Sequence, residues 1–309
     1  MTHSVMFHHF HDDIHLPSQG SLSASDFDLM ISWLSDRYDI LNAQDYQSKF
    51  LSQTLKNTDI CLSFDDALKC QYDIALPVLK KNNISAFFFV YSSAFSDNPD
   101  FLEIFRYFRT NKFGGVDEFY NYFFDFLIQN NKDEYLIQQS QYSSLVNDLS
   151  AFPFYTENDK WFRYLRDQYL GNEKYTNIML EIISEKSFDI NEVKKKLWLG
   201  EDELLKIHEN GHVVGLHSYS HPTEMSKLTT DQQLKEYKKN FTHLSKVLKT
   251  SDITSMSHPC GDYNLDTLSL LKGMGMQIGF RSNMSVKEII SPLEIPREDH
   301  ANVFKEMKQ

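Results

Sequence analysis

The chain has 309 residues, 41% of them hydrophobic and 24% charged, with a formal net charge of −12. This is enough for one large α/β domain or two ordinary ones with a sizeable core, and the composition excludes general disorder. The acidic balance excludes nucleic acid as a partner, since phosphate contacts need clustered Lys and Arg, and the short runs Lys80-Lys81 and Lys194-Lys195-Lys196 read as solvated helix faces.

From the N-terminus, Val5 to Phe10 reads as a first strand, followed closely by His8, His9, His11, Asp12 and Asp13. Ser25 with Asp28 has the spacing of a helix cap, and Phe27, Met30, Ile31 and Leu34 then share one helical face. Tyr38 to Leu41 predicts a short second strand. Thr58 to Phe64 predicts a clear one ending in Asp65-Asp66, and Tyr72 to Leu79 an amphipathic helix. The apolar run Ala86 to Val90 has the character of a buried parallel strand.

From about Ser96 to Ser187 strand-like runs vanish and helical patterns take over, at Phe101–Phe108, Phe119–Gln129, Tyr135–Leu149, Lys160–Tyr169 and Tyr175–Ile183. The aromatic run Phe119 to Phe124 reads first as helix core and second as a substrate lid or partner surface. Alternation then resumes. Helices are expected at Glu201–His208, Leu228–Leu248 and Leu265–Leu271. Strands are expected at His212–Leu216, Ile253–Met256 and Met276–Phe280, and a last extended segment carries Arg297 to His300. About seven strands alternating with helices predict a parallel sheet closed into a barrel or strongly curved. The expected division is a first barrel part at 1–95, a helical insertion at 96–199 and a second barrel part at 200–309.

Cys61, Cys70 and Cys260 are odd in number and lack framework spacing, which predicts free thiols. The N-terminus lacks a secretory pattern and no stretch reaches the roughly 20 apolar residues of a membrane helix, so a soluble cytoplasmic protein is expected. Nothing in the sequence specifies an oligomeric state.

Two stretches carry chemistry. Ser63-Phe64-Asp65-Asp66 ends one strand, and His217-Ser218-Tyr219-Ser220-His221-Pro222 ends another. Strand ends of an alternating α/β chain meet on one rim of the sheet. His217 and His221, four apart, fall on one face of a helical turn. One carboxylate with two imidazoles leaves open positions on a Zn2+-like ion, the composition of a catalytic site. The same ligand set also serves mononuclear Fe(II) oxygenases, but a second carboxylate beside the first does not suit that class.

These stretches also resemble the signatures of the polysaccharide deacetylases, the carbohydrate esterase group that includes chitin, peptidoglycan and Nod-factor deacetylases. Ser63 to Asp66 is similar to the family's Thr-Phe-Asp-Asp, and His217 to His221 to its His-[Ser/Thr]-x-x-His. Ser257-His258-Pro259-Cys260-Gly261 sits where the family has Arg-x-Pro-x-Gly, and Phe7-His8 resembles its early Tyr-His. The resemblance covers roughly residues 1–95 and 200–300. It implies a distorted (β/α) barrel, here with a helical insertion, and a hydrolase removing an N-acyl group, foremost acetyl, from an amino sugar or polysaccharide precursor. The implied partner is a carbohydrate or sugar-linked small molecule.

By the same resemblance Asp66, His217 and His221 would hold a divalent ion, Zn2+ first with Co2+ or Ni2+ as alternatives. Asp65 would be the base, and a backbone N–H near Cys260 would face the oxyanion. His8 would line the pocket. Ser257 replaces the family's base-orienting Arg, with Arg297 as the candidate substitute, and Ala67 replaces a common Gly. The general acid is expected at His300, with His258 second. Two other readings stay open: a non-sugar amide hydrolase on this scaffold, and a non-catalytic carbohydrate-binding relative.

Overall fold

The computed structural model of the protein describes residues 3–97, 99–142, 156–285 and 291–308. It divides into two compact units, Met1–Asp100 with Lys196–Gln309, and Phe101–Lys195.

The chain begins with β1 (His3–Phe7), α1 (Ala24–Ser35), β2 (Asp39–Ile40), α2 (Ala43–Leu51) and β3 (Asp59–Asp65). A π-helical stretch at Gln71–Ala75 then runs into α3 (Leu76–Lys81), followed by β4 (Phe87–Val90). Next come five helices, α4 (Phe101–Lys112), α5 (Val116–Tyr142), α6 (Glu157–Tyr164), α7 (Gly171–Glu185) and α8 (Ile190–Leu197). The chain continues with α9 (Glu201–Glu209), β5 (Val213–Leu216), α10 (Thr230–Leu248), β6 (Ser255–Ser257), α11 (Leu265–Gly273), β7 (Ile278–Phe280), β8 (Arg297–Asp299) and α12 (His300–Met307).

All strand pairs are parallel, in the order β7-β6-β5-β4-β3-β1-β8, with two-residue β2 beside the start of β3. Phe280 bridges to Ile295, and the chain from there enters β8 against β1. The sheet therefore comes nearly full circle, and the expected (β/α) barrel is the observed fold.

Alternation along the strands sorts side chains by face. Cys61, Phe87, Phe89, Ile278, Phe280 and Ile295 form a fully buried cluster with Ala43 and Tyr46. On the other face Phe64 stacks between Phe7 and Phe88, with ring centroids 5.3 and 4.8 Å away, and Phe7 meets Phe27 of α1. Gly215 lets β5 approach β6: an added Cβ would lie 2.5 Å from Ser255 Oγ and 2.8 Å from Phe89.

Two local expectations change and one holds. The cap of α1 is Ser23 with Asp26, not Ser25 with Asp28: Ser23 Oγ accepts from Asp26 N at 3.1 Å, while Asp28 is engaged by Lys81 and Asn82. The break expected between helices at 119–129 and 135–149 is present: α5 is two helices joined across a kink at Asn131, whose backbone is extended. The Asn131 side chain accepts from Glu134 N and restarts the helix; residues 143–149 lie outside the described residues. Helices α8 and α12 were not expected from periodicity, because each buries few apolar residues: Val193 and Leu197 in one, Val303 in the other.

The second unit has its own aromatic core. Phe119, Phe123, Phe162 and Tyr175 are buried and in ring contact, with Arg109 over the faces of Phe119 and Phe162. Most of the aromatic run at 119–124 is thus helix core.

Candidate active site

Asp65 is the last residue of β3, on the same face as Ser63 and Cys61. It is 2% exposed, and such a carboxylate stays ionised only if paired. The partner is Arg297, itself fully buried at the start of β8, which donates from both terminal nitrogens to the two Asp65 oxygens at 2.8 and 2.7 Å. Arg297 also donates to Ser257 Oγ at 2.7 Å and to the Arg281 carbonyl. Burial would raise the Asp65 carboxyl, but the Arg297 guanidinium, aided by His217, brings it below the usual range. A fork on a carboxylate fixes its plane as well as its charge. At the position where the family carries Arg, this chain has Ser257, and its hydroxyl holds the guanidinium that arrives from β8.

Asp66 turns back toward the same rim because its backbone is left-handed, at φ +78°, followed by Ala67 at φ +55°. A non-glycine residue pays strain there, which explains why Gly suits position 67. The Asp66 amide donates to Phe89 O at 3.1 Å, anchoring the turn to β4.

His217 follows β5. Its amide donates to Asn240 Oδ1 at 3.0 Å, and its Nδ1 lies 2.9 Å from the Ser257 carbonyl, so Nδ1 carries the proton and Nε2 is left bare. His221, at φ +55°, sits in a loop that Glu236 of α10 clamps by accepting from the amides of Tyr219 and Ser220.

Asp66 Oδ1 lies 3.5 Å from His217 Nε2 and 3.4 Å from His221 Nε2, and His217 Nε2 is 3.8 Å from Asp65 Oδ2. Asp66, His217 and His221 each offer a ligand atom, all within 4.8 Å of one another, and all three residues are buried. Among the described residues Asp66 Oδ1 has no hydrogen-bond partner. Converging lone pairs around an orphaned buried carboxylate oxygen are stabilised by a cation, so the residues fit a divalent metal ion. Burial pushes His217 down, but Asp65 and Asp66 outweigh it and raise it; burial likewise opposes the low value of Asp66, where His221 and His217 prevail.

His8, just past β1, places Nε2 3.9 Å from the other Asp66 oxygen, with its side chain 26% exposed. The structure thus brings Asp65, Asp66, His217, His221, His8 and Arg297 together. His300 packs elsewhere: its ring stacks on Phe7 at 5.6 Å, and its nitrogens face the carbonyls of Met6 and Gly20 at 3.2 and 2.7 Å. Burial lowers its affinity for a proton. His258 is fully buried, bonded to Leu293 O at 2.8 Å and stacked on Tyr263, and burial pushes it down to about 3. Cys260 is exposed in a left-handed turn at φ +52°. Sequence reasoning missed Asn240 and Glu236; their only signal was polarity on an otherwise amphipathic helix.

A sequence profile described as polysaccharide deacetylase matches residues 52–107 and 169–279, more than half of the chain. The chain belongs to the polysaccharide deacetylase family. Among curated proteins none matches. Solved structures with this fold include the Streptococcus pyogenes deacetylase PplD in complex with acetate, at 15% identity and a TM-score of 0.53, covering 96% of this chain and 92% of that one. IcaB from Ammonifex degensii has 14% identity and a TM-score of 0.55, covering 96% and 90%. A de-N-acetylase from Aggregatibacter actinomycetemcomitans has 13% identity and a TM-score of 0.56, covering 96% and 93%.

Proposed function

We propose that the protein is a metal-dependent hydrolase that removes an N-acyl group, acetyl foremost, from an amino-sugar or polysaccharide-precursor substrate. The observation that carries this reading is the convergence of Asp66, His217 and His221 beside a separate carboxylate, Asp65, locked by Arg297. Zn2+ suits the donor set best, with Co2+ and Ni2+ as alternatives. A divalent ion held by these three residues would supply an activated water and an electrophile for the amide oxygen.

Asp65 then acts as the base. It is held ionised and aimed by Arg297, so it accepts the proton of the attacking water as the C–O bond forms. The amide C–N bond breaks only if the amine nitrogen gains a proton. His8 suits this role: it flanks Asp66 on the side away from the two histidine ligands and is the partly exposed imidazole of the group. His300, the donor expected from its place after the last strand, has both nitrogens turned to main-chain carbonyls.

The test is acetate release from a panel of N-acetylated amino sugars by the zinc-loaded protein. Asp65→Asn should bind Zn2+ normally and lose at least about 100-fold in rate; full activity in that variant overturns the assignment. His8→Gln should lower kcat with metal binding retained, whereas His300→Gln should change stability more than rate. Release of acyl groups from simple amides but from no sugar would favour the non-sugar reading.

A further inference from the structure

Helix α10 carries a second feature. Lys235, Lys238, Lys239 and Lys246 are exposed on it, and their spacing places them along one helical face. They line a groove of about 700 Å³ together with Phe95, Ser96 and Tyr219. None of the four lysines is ion-paired among the described residues. Like charges three and four apart on a helix repel, and here they gather in a protein of net charge −12. The four lysines outnumber the two acidic residues that line the groove. Glu201 is engaged by His243 at 3.1 Å, and Asp231 lies in the first turn of α10, where it offsets the helix terminus.

The groove is joined to the candidate metal centre by its wall. Tyr219 stands between the ligand candidates His217 and His221, its carbonyl accepts from Ser93 N at 2.8 Å, and the Lys239 ammonium rests 3.3 Å from the centroid of its ring. Ser92, at the groove's base, accepts from Asn240 at 2.6 Å, and Asn240 holds the His217 amide. A ligand lying in the groove therefore touches the segment that carries both histidines. A row of ammonium groups without carboxylate partners, one of them resting on an aromatic ring, recognises an anion attached to a flat or cyclic group. We infer that this groove binds a phosphate-bearing portion of the substrate, such as the phosphate or pyrophosphate of an activated sugar. The word substrate rests on the deacetylase reading; the anion site does not.

The experiment uses calorimetry and kinetics on the zinc-loaded full chain with N-acetylglucosamine, N-acetylglucosamine 1-phosphate and its uridine diphosphate and polyprenyl pyrophosphate derivatives. Phosphorylated ligands should bind at least about tenfold more tightly than the neutral sugar at low salt, and the advantage should shrink as ionic strength rises. The soluble and lipid-linked arms identify the source of the phosphate. Lys235→Glu/Lys238→Glu/Lys246→Glu should abolish the advantage, and Lys249→Glu, outside the groove, should leave it unchanged. Equal affinity for neutral and phosphorylated sugars, an unaffected triple variant, or binding to anionic vesicles alone overturns the inference. Lysine-dependent binding of the phosphorylated sugars with no acetate released from any sugar would uphold the anion site and reject the deacetylase reading.

Discussion

Replacing Arg297 by Met removes a charge from the interior while leaving Asp65 buried. The pair is bidentate at 2.8 and 2.7 Å, with side-chain exposures of 0% and 3%. At an effective dielectric of about 20, unit charges about 4 Å apart attract by about 4 kcal/mol, and breaking a buried pair on one side costs about 3–5 kcal/mol. Met fills much of the space, so packing loss is a smaller part of the effect. Arg297→Met should therefore destabilise the protein by about 3–5 kcal/mol in urea unfolding. In an Asp65→Asn background the same replacement should cost far less, because no unpaired anion remains. Arg297→Lys should fall between, keeping the charge and losing the fork. Deacetylation by Arg297→Met should fall with Asp65→Asn and not further in the double variant. If Arg297→Met costs the same in both backgrounds, the pair is not what holds Asp65, and the account of the base fails.

Zn2+ at about 100 times its Kd should stabilise the wild type by about 2.7 kcal/mol, raising its melting temperature, with no shift for Asp66→Ala or His217→Ala; a shift in either places the ion elsewhere. Asn240→Ala leaves the His217 amide and the Val90 carbonyl without their partner, so it should cost about 2–3 kcal/mol and weaken Zn2+ binding about tenfold or more, read by calorimetry. His212 is buried, accepts from Ala86 N, and is pushed down to about 4 by burial. The unfolded chain takes a proton there near pH 6.5 and the folded chain does not, so this contribution is present above pH 6.5 and lost as pH falls toward 4. Between pH 7 and 5 the wild type should lose about 1–2 kcal/mol more than His212→Asn; parallel stability curves would refute this.

The acid–histidine core was legible because its members lie at the ends of strands with strong local patterns. Ile60 to Phe64 and Val213 to Leu216 announce strands by composition, and barrel geometry places such ends together. Helices α8 and α12 were illegible because few apolar side chains mark their buried faces. The Ser-x-x-Asp spacing occurs twice at the start of α1, at Ser23 and Ser25, and tertiary contacts separate them, since Lys81 and Asn82 engage Asp28 while Ser23 and Asp26 bond each other.

The sequence by itself determined the alternation that yields a barrel, and the residue types able to hold a cation. Both depend on local periodicity or on short motifs. What only the tertiary structure decided is how those groups are held. Arg297 meets Asp65 across 232 positions of chain, because closure of the sheet sets β8 against β1 and its buried cation within reach of β3. Ser257 matters through the guanidinium it steadies, Asn240 through the His217 amide, and His300 is turned away onto Phe7. Each is a contact between distant segments, fixed by burial that forces every charge and polar group to find a partner.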